Sequence, residues 1–342
     1  IKLSKDLTSF FKENYKNNNL YFDEYMDNCL YSKFGFFNTD VVRSSKEGDF
    51  LTSPEVSEYF GLIIANFINE KIKDGHILEV GAGTGSLAEE ILKNVDKKLY
   101  LLENSTTALA NLKNKKFQAE EKPEQFSDKK IDIIYMNELL DNVPCSIGVH
   151  KDNKWYEKII ITNKEKFEYD LAEIREENYE WIKKYNLQPM EGVELEIQLN
   201  SEKLLNNFID IFNPKYFLIF DYGYEYKDRD KKPYESLIRT YKEHHLSSEP
   251  LELPGETDIT YDVNFTFVEK YFESKGYKVE LMLQTNFLDK YGFENIYKKL
   301  KENYQKFSDI EKLKIKSQLV GLEAIHNERG LGGFYTLVAE KI

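Results

Sequence analysis

The run His76-Ile77-Leu78-Glu79-Val80-Gly81-Ala82-Gly83-Thr84-Gly85-Ser86-Leu87-Ala88 constrains this chain more than any other. A short apolar stretch, three glycines at alternate positions and then helix-forming residues predict strand, tight turn and helix. Glycines in such a turn let the backbone approach a ligand closely. The unpaired N–H groups at a helix start favour a negative group there. The question is which nucleotide-like ligand the turn serves.

The flanking segments repeat the alternation. Before the turn, Ser53 is expected as an N-cap with Pro54 at the first helical position and Glu55 in the first turn, followed by Val56, Phe60, Ile63-Ile64 and Phe67 at helical spacing. After it, Leu99-Tyr100-Leu101-Leu102-Glu103 reads as a strand ending in an acid, and Ser105 caps the next helix. Ile131 to Glu138 and Tyr216 to Asp221 read as further buried strands, and Tyr277 to Leu283 and Phe334 to Glu340 complete the set, one of them antiparallel. Strands alternating with helices predict right-handed βαβ units and a mostly parallel, Rossmann-like α/β sheet. Residues 1–75 form a helical region that contributes to the cofactor site, and 76–342 the catalytic domain. Insertions are expected near 145–212 (a hairpin around Trp155, helices and a strand), 222–264 (a long ordered loop) and 286–328 (helical).

Composition bounds the partners. A net charge of −13 argues against general binding to nucleic acid phosphates and against an anionic membrane surface. A basic protein segment carrying Arg suits it better. Cys29 and Cys145 are the only cysteines, so no disulfide framework or cysteine metal cluster is available, and a reducing, cytoplasmic setting is expected. The sequence begins at Ile1 rather than Met, which leaves room for residues in front of it. No apolar run approaches the ~20 residues that span a bilayer. The pair His244-His245 has no recognisable third ligand, and no metal is expected.

Read from Gly81, the glycines miss the dinucleotide fingerprint at Ser86; read from Gly83 they give Gly83, Gly85 and Ala88, which keeps a nicotinamide cofactor open. Glu103 accepts ribose hydroxyls in either case. Three features favour S-adenosylmethionine. Glu79, two residues before the first glycine, suits a cationic amino group rather than a pyrophosphate. Asn137-Glu138-Leu139-Leu140-Asp141 follows a central strand where methyl donors meet substrate, and the antiparallel end of the sheet is more typical of a methyltransferase.

Several blocks together resemble the MidA family of class I S-adenosylmethionine-dependent methyltransferases, which includes the mitochondrial complex I assembly methyltransferase. They are Gly48 to Ser57, Leu78 to Gly85, Asn137-Glu138-Leu139-Leu140-Asp141-Asn142-Val143-Pro144, Asp221-Tyr222-Gly223-Tyr224 and Pro254 to Phe265. The resemblance runs from about residue 20 to the C-terminus. It implies a seven-stranded sheet, the methyl donor at the glycine turn, and cofactor contacts from Thr52, Ser53 and Glu55. For the mitochondrial relative it also implies dimethylation of arginine on a protein. The chain departs from the family pattern after Pro144 and around Ser236 to Tyr241, both in the insertions.

Methyl transfer from a sulfonium is an in-line displacement, so the protein has to position the nucleophile and manage its proton. Carboxylates that pair with a guanidinium fix its plane. Glu138, Asp141 and Asp221 are the candidates for catalysis, with Tyr222 and Tyr224 as an aromatic surround. Glu79, Gly81, Gly83, Gly85, Glu103 and Asn137 are the candidates for holding the donor. Helix capping by Asp141 and backbone capping by Asp221 are the competing readings. A small-molecule methyltransferase and an S-adenosylmethionine-binding assembly factor acting through a protein partner are the alternative functions. The insertions leave homodimerisation open.

Overall fold

The computed structural model describes residues 2–15, 20–38, 52–163, 166–190, 192–232, 234–242, 245–247, 249–307 and 309–342. Residues 48–51 of the first family block and His244 lie outside them. The chain divides into two compact units, one made of Val42–Glu138, Phe208–Tyr222 and Lys275–Ile342, the other of Ile1–Val41, Leu139–Asn207 and Gly223–Ser274.

The first unit is built on seven strands: β1 (His76–Val80), β2 (Leu99–Leu102), β3 (Gln118–Glu120), β4 (Ile131–Asn137), β5 (Tyr216–Asp221), β6 (Tyr277–Leu283) and β7 (Tyr335–Lys341), in the spatial order β6-β7-β5-β4-β1-β2-β3. The pairs from β5 through β3 are parallel, and β7 lies antiparallel to both β5 and β6. The chain starts at β1 in mid-sheet, builds outward to β3, then restarts at β4 on the other flank. That reversal opens a crevice at the carboxyl ends of β1 and β4, where open α/β sheets bind ligands. Parallel strands covered on both faces have to be apolar throughout, and Leu99 to Leu102 are all buried, as are Ile133 to Met136.

Helix Glu58–Lys71 shows why the sequence pattern was legible: Phe60, Ile63, Ile64, Phe67 and Ile68 fall on one stripe and are fully buried. Phe60 meets Phe220 of β5 edge-on at 5.0 Å, and Phe67 meets Phe287 and Tyr291 at 5.7 and 5.2 Å. The expected single helix from Ser53 is two. Thr52, not Ser53, is the N-cap of the short turn Ser53–Val56, and the chain breaks at Ser57, whose hydroxyl accepts the Tyr59 N–H and caps the longer helix. The edge strand β3 was not anticipated, since three residues carry too little apolar signal.

The second unit contains the insertion hairpin Ser146–Lys151 and Lys154–Asn163, extended by Lys166–Glu173, Leu195–Ile197 and Leu20–Tyr21. The long loop expected over residues 222–264 carries several short strands among its described residues. Ile238–Lys242 pairs antiparallel with Asp258–Tyr261, and Gly223–Tyr224 pairs parallel with Val263–Asn264. Their buried residues include Thr240, Asp258, Thr260 and Asn264, which break the apolar alternation that marks a strand.

This unit is held by a buried charged hub. Glu157 is fully buried and accepts from the Arg175 N–H at 2.7 Å, the Arg175 guanidinium at 2.9 Å and Asn178 Nδ2 at 2.6 Å. Arg175 also donates to Asp23 at 2.8 Å and Ser146 at 2.9 Å, and its guanidinium stacks 4.0 Å from the Tyr21 ring centroid. Four segments, around residues 21–23, 146, 157 and 175–178, meet on one ion pair. Glu157→Ala removes one of the two carboxylates on Arg175 and the acceptor of the Arg175 N–H, leaving Asp23 in place, and is expected to cost ~1–3 kcal/mol in chemical denaturation. Glu180→Ala, which removes the exposed pair with Lys183, is expected to leave the midpoint unchanged.

Candidate active site

At the carboxyl end of β1, Gly81, Gly83 and Gly85 take φ of 75°, 52° and 77°. These left-handed angles are open to glycine at little cost. At Gly85 the space is closed as well: a Cβ would sit 2.7 Å from Leu112 Cδ2 and 3.0 Å from Phe117 Cε2. The turn is pinned from two sides. Glu103, just beyond β2, accepts the Gly83 N–H and the Ser105 N–H, both at 2.7 Å. Glu55 accepts the hydroxyls of Thr84 and Ser86 at 3.0 and 2.8 Å. Each carboxylate oxygen has two lone pairs, so Glu103 retains acceptor capacity for a diol beside the glycines.

Glu79 is buried on β1, where Tyr135 of β4 is its direct register partner and donates its hydroxyl to Oε2 at 2.7 Å. Burial pushes the Glu79 carboxyl up to about 8, the nearby Glu103 adds to this, and the tyrosine hydrogen bond pulls the other way. A buried carboxyl of this kind fits an arriving cation, which would restore its charged form. Burial also raises Glu103, against the pull of its backbone N–H partners. Neither Tyr135 nor the Thr84 and Ser86 hydroxyls were singled out in the sequence. Tyr135 reads there as one more apolar residue of a buried strand, because register is invisible to periodicity.

The other expected donor contacts divide. Glu55 reaches the glycine turn through its carboxylate. Ser53 is fully buried and shares hydrogen bonds with the Gln284 amide at 3.2–3.3 Å. Thr52 is buried at the start of its turn, where its carbonyl accepts the N–H groups of Glu55 and Val56.

At the end of β4, Asn137 Nδ2 donates to Glu138 Oε1 at 3.2 Å, and Asn137 Oδ1 is buried with no hydrogen-bond partner among the described residues. Glu138 is half-buried and takes φ of 51°, while its N–H donates to the Phe220 carbonyl of β5 at 2.8 Å. Of the six described non-glycine residues at positive φ, four are Asn or Asp, which tolerate it. A glutamate held there at the mouth of a parallel sheet carries strain that the surrounding strands impose, and such strain clusters at functional sites.

Asp221, at the end of β5, is fully buried, and its Oδ1 accepts the Tyr222 N–H at 3.0 Å. The Tyr222 ring packs against Phe334 at 5.4 Å. Asp141 belongs to the second unit, where it is buried and its Oδ2 accepts the Thr260 hydroxyl at 2.6 Å. Beside it, Asn142 donates to Asp258 at 2.9 Å, and Tyr261 donates to the Leu140 and Val143 carbonyls at 2.7 and 2.8 Å. Tyr224 directs its hydroxyl at Glu196 at 3.4 Å. Thus Thr52, Ser53, Glu55, Glu79, the three glycines, Glu103, Asn137, Glu138 and Asp221 share one unit, and Asp141 and Tyr224 the other. No group of three His, Cys, Asp or Glu among the described residues is arranged to hold a metal.

A sheet in the order β6-β7-β5-β4-β1-β2-β3, with a left-handed glycine turn after β1 and an acid after β2, defines a class I S-adenosylmethionine-dependent methyltransferase. The profile of a family of S-adenosyl-L-methionine-dependent methyltransferases matches residues 61–282, and the chain belongs to that family. It is 26% identical to the mitochondrial protein arginine methyltransferase NDUFAF7 homolog of Drosophila melanogaster, over 74% of this chain and 66% of that protein. The corresponding Caenorhabditis elegans protein is 24% identical, over 81% and 74%. Among solved structures, a Burkholderia thailandensis protein bound to S-adenosylhomocysteine superposes with a TM-score of 0.84 at 17% identity, over 99% of this chain and 92% of that one. The same fold recurs in a native Burkholderia thailandensis structure with a TM-score of 0.80.

The cytoplasmic expectation is corrected by these relatives, which are mitochondrial proteins. Two cysteines distinguish a reducing from an oxidising setting and do not single out the cytoplasm among reducing ones.

The titration of Glu79 gives a signed prediction. Its carboxyl stands at about 8 in the folded protein against 4.5 ordinarily. Between those values the folded state holds a proton that the unfolded chain has released. The stabilisation is complete below the lower value and is lost as pH rises through the higher one. Ligand-free protein should therefore lose roughly 2–5 kcal/mol more stability than Glu79→Gln between about pH 5 and pH 9, measured by chemical denaturation.

Proposed function

We propose that this methyltransferase acts on arginine in a protein substrate, with Glu138 as the group that receives the guanidinium. The observation that carries the reading is Glu138 itself: a half-buried carboxylate forced to positive φ at the end of β4, steadied by Asn137 and by the Phe220 carbonyl. The relatives that are protein arginine methyltransferases support the choice of acceptor. The chain's acidic balance of −13 suits a basic segment.

In this proposal the glycine turn, Glu79, Glu103 and Asn137 hold the donor. Glu79 receives the amino group of its methionine part, and Glu103 receives the ribose hydroxyls beside Gly83. Glu55 keeps the turn in shape through Thr84 and Ser86. When bound, S-adenosylmethionine supplies an electrophilic methyl group on a sulfonium.

Glu138 accepts N–H groups of the guanidinium, fixes its plane, and aims one nitrogen along the line of displacement. As that nitrogen forms its bond to carbon it gives up a proton, for which the same carboxylate is the acceptor at hand. Asp221 and Asp141 act at one remove. Asp221 holds the backbone after β5 through the Tyr222 N–H, and Asp141 ties its segment to Thr260.

Glu138→Gln keeps the size and the contact with Asn137 but removes the charge. It is expected to lower kcat for an arginine-containing peptide by about 100-fold or more while calorimetric affinity for S-adenosylmethionine stays within about twofold. Undiminished kcat in the variant would contradict the role given to Glu138.

A further inference from the structure

We infer that the helical hairpin formed by Phe293–Lys306 and Asp309–His326 docks the protein onto an anionic lipid surface. Its base is anchored by Leu300, Ile315, Leu319 and Leu322, which are buried in the core of the sheet unit. Beyond Leu300 every residue from 301 to 307 is exposed. Four large apolar side chains sit at this tip: Tyr304 is 38% exposed, Phe307 46%, Leu313 70% and Ile310 83%. Single exposed apolar residues are ordinary, but four of them within ten residues at the junction of two helices are not.

Charge selects the occupant. Residues 296–316 hold seven lysines against Glu302, Asp309 and Glu311, a local balance of 7 − 3 = +4 in a chain whose total is −13. The total describes an average over the surface and hides this tip. Like charge opposes docking of the tip against the same tip of a second copy. All seven cations are lysine and none is arginine. Protein interfaces favour arginine and are depleted in lysine, whereas lysine beside aliphatic and aromatic groups suits a lipid surface. There its stem lies along the acyl boundary and its ammonium meets the headgroups. A bilayer needs no recess, because it deforms around the inserted side chains. No described helix is long and apolar enough to cross a membrane.

The test is co-sedimentation of the full chain with phosphatidylcholine vesicles, with and without about 30 mol% phosphatidylglycerol, at low and high salt. The wild-type chain should pellet only with the anionic vesicles and be released by salt. Ile310→Asp combined with Leu313→Asp, and separately Lys312→Glu, Lys314→Glu and Lys316→Glu together, should each reduce the bound fraction about tenfold. Circular dichroism and S-adenosylmethionine binding should be unchanged in both, since none of these residues touches the glycine turn or Glu138. Absence of wild-type binding to anionic vesicles, or variants that bind as the wild type does, would overturn the inference. So would a wild-type dimer dissociated by the aspartate pair, which would assign the tip to a second copy. Retention of poly-L-glutamate without vesicle binding would assign it to an acidic polypeptide and equally overturn the lipid reading.

Discussion

The carboxylate of Glu103 on the Gly83 N–H is the contact on which the site depends. It ties the end of β2 to the turn after β1 at 2.7 Å and holds three left-handed glycines at alternate positions in one shape. Glu55 does the same from the opposite side through Thr84 and Ser86. A flexible glycine loop would sample many conformations and lose entropy on binding a ligand. Fastened at both flanks, it presents its backbone in a fixed arrangement, with Glu79 beneath it and Glu138 on the adjacent strand.

The charged groups around that turn are unequal, and burial sets the difference. Glu79 keeps a proton up to about 8 because it is enclosed with one tyrosine hydroxyl for company. Glu138 is only half-buried. Two acids on neighbouring parts of the sheet thereby stand in different surroundings, one enclosed and the other half-buried.

Much of this could be read from the sequence, for identifiable reasons. The glycine turn, the acid after β2 and the helix from Phe60 to Ile68 obey local rules of turn geometry and helical spacing. The antiparallel end of the sheet followed from the two C-terminal apolar segments. What escaped depends on register and long-range pairing. The Tyr135 hydroxyl on Glu79 crosses between strands 56 residues apart, and the Glu157 and Arg175 hub gathers four segments. The strands of residues 222–264 went unseen because their buried positions include threonine, aspartate and asparagine, and Asp258 and Thr260 find their partners in Asn142 and Asp141, 116 and 119 residues away. Asp221 reads alike as a mouth or a cap from its place at a strand end, and its complete burial is not visible from that place.

The central claim is that a S-adenosylmethionine methyl group passes to arginine in a protein beside Glu138. Incubation with methyl-labelled S-adenosylmethionine and proteins from the source cell, followed by tandem mass spectrometry, tests it most directly. The account predicts label on the guanidino nitrogens of arginine, absent when Glu138→Gln replaces the wild-type chain. Label confined to small metabolites, or to protein residues other than arginine, would contradict it.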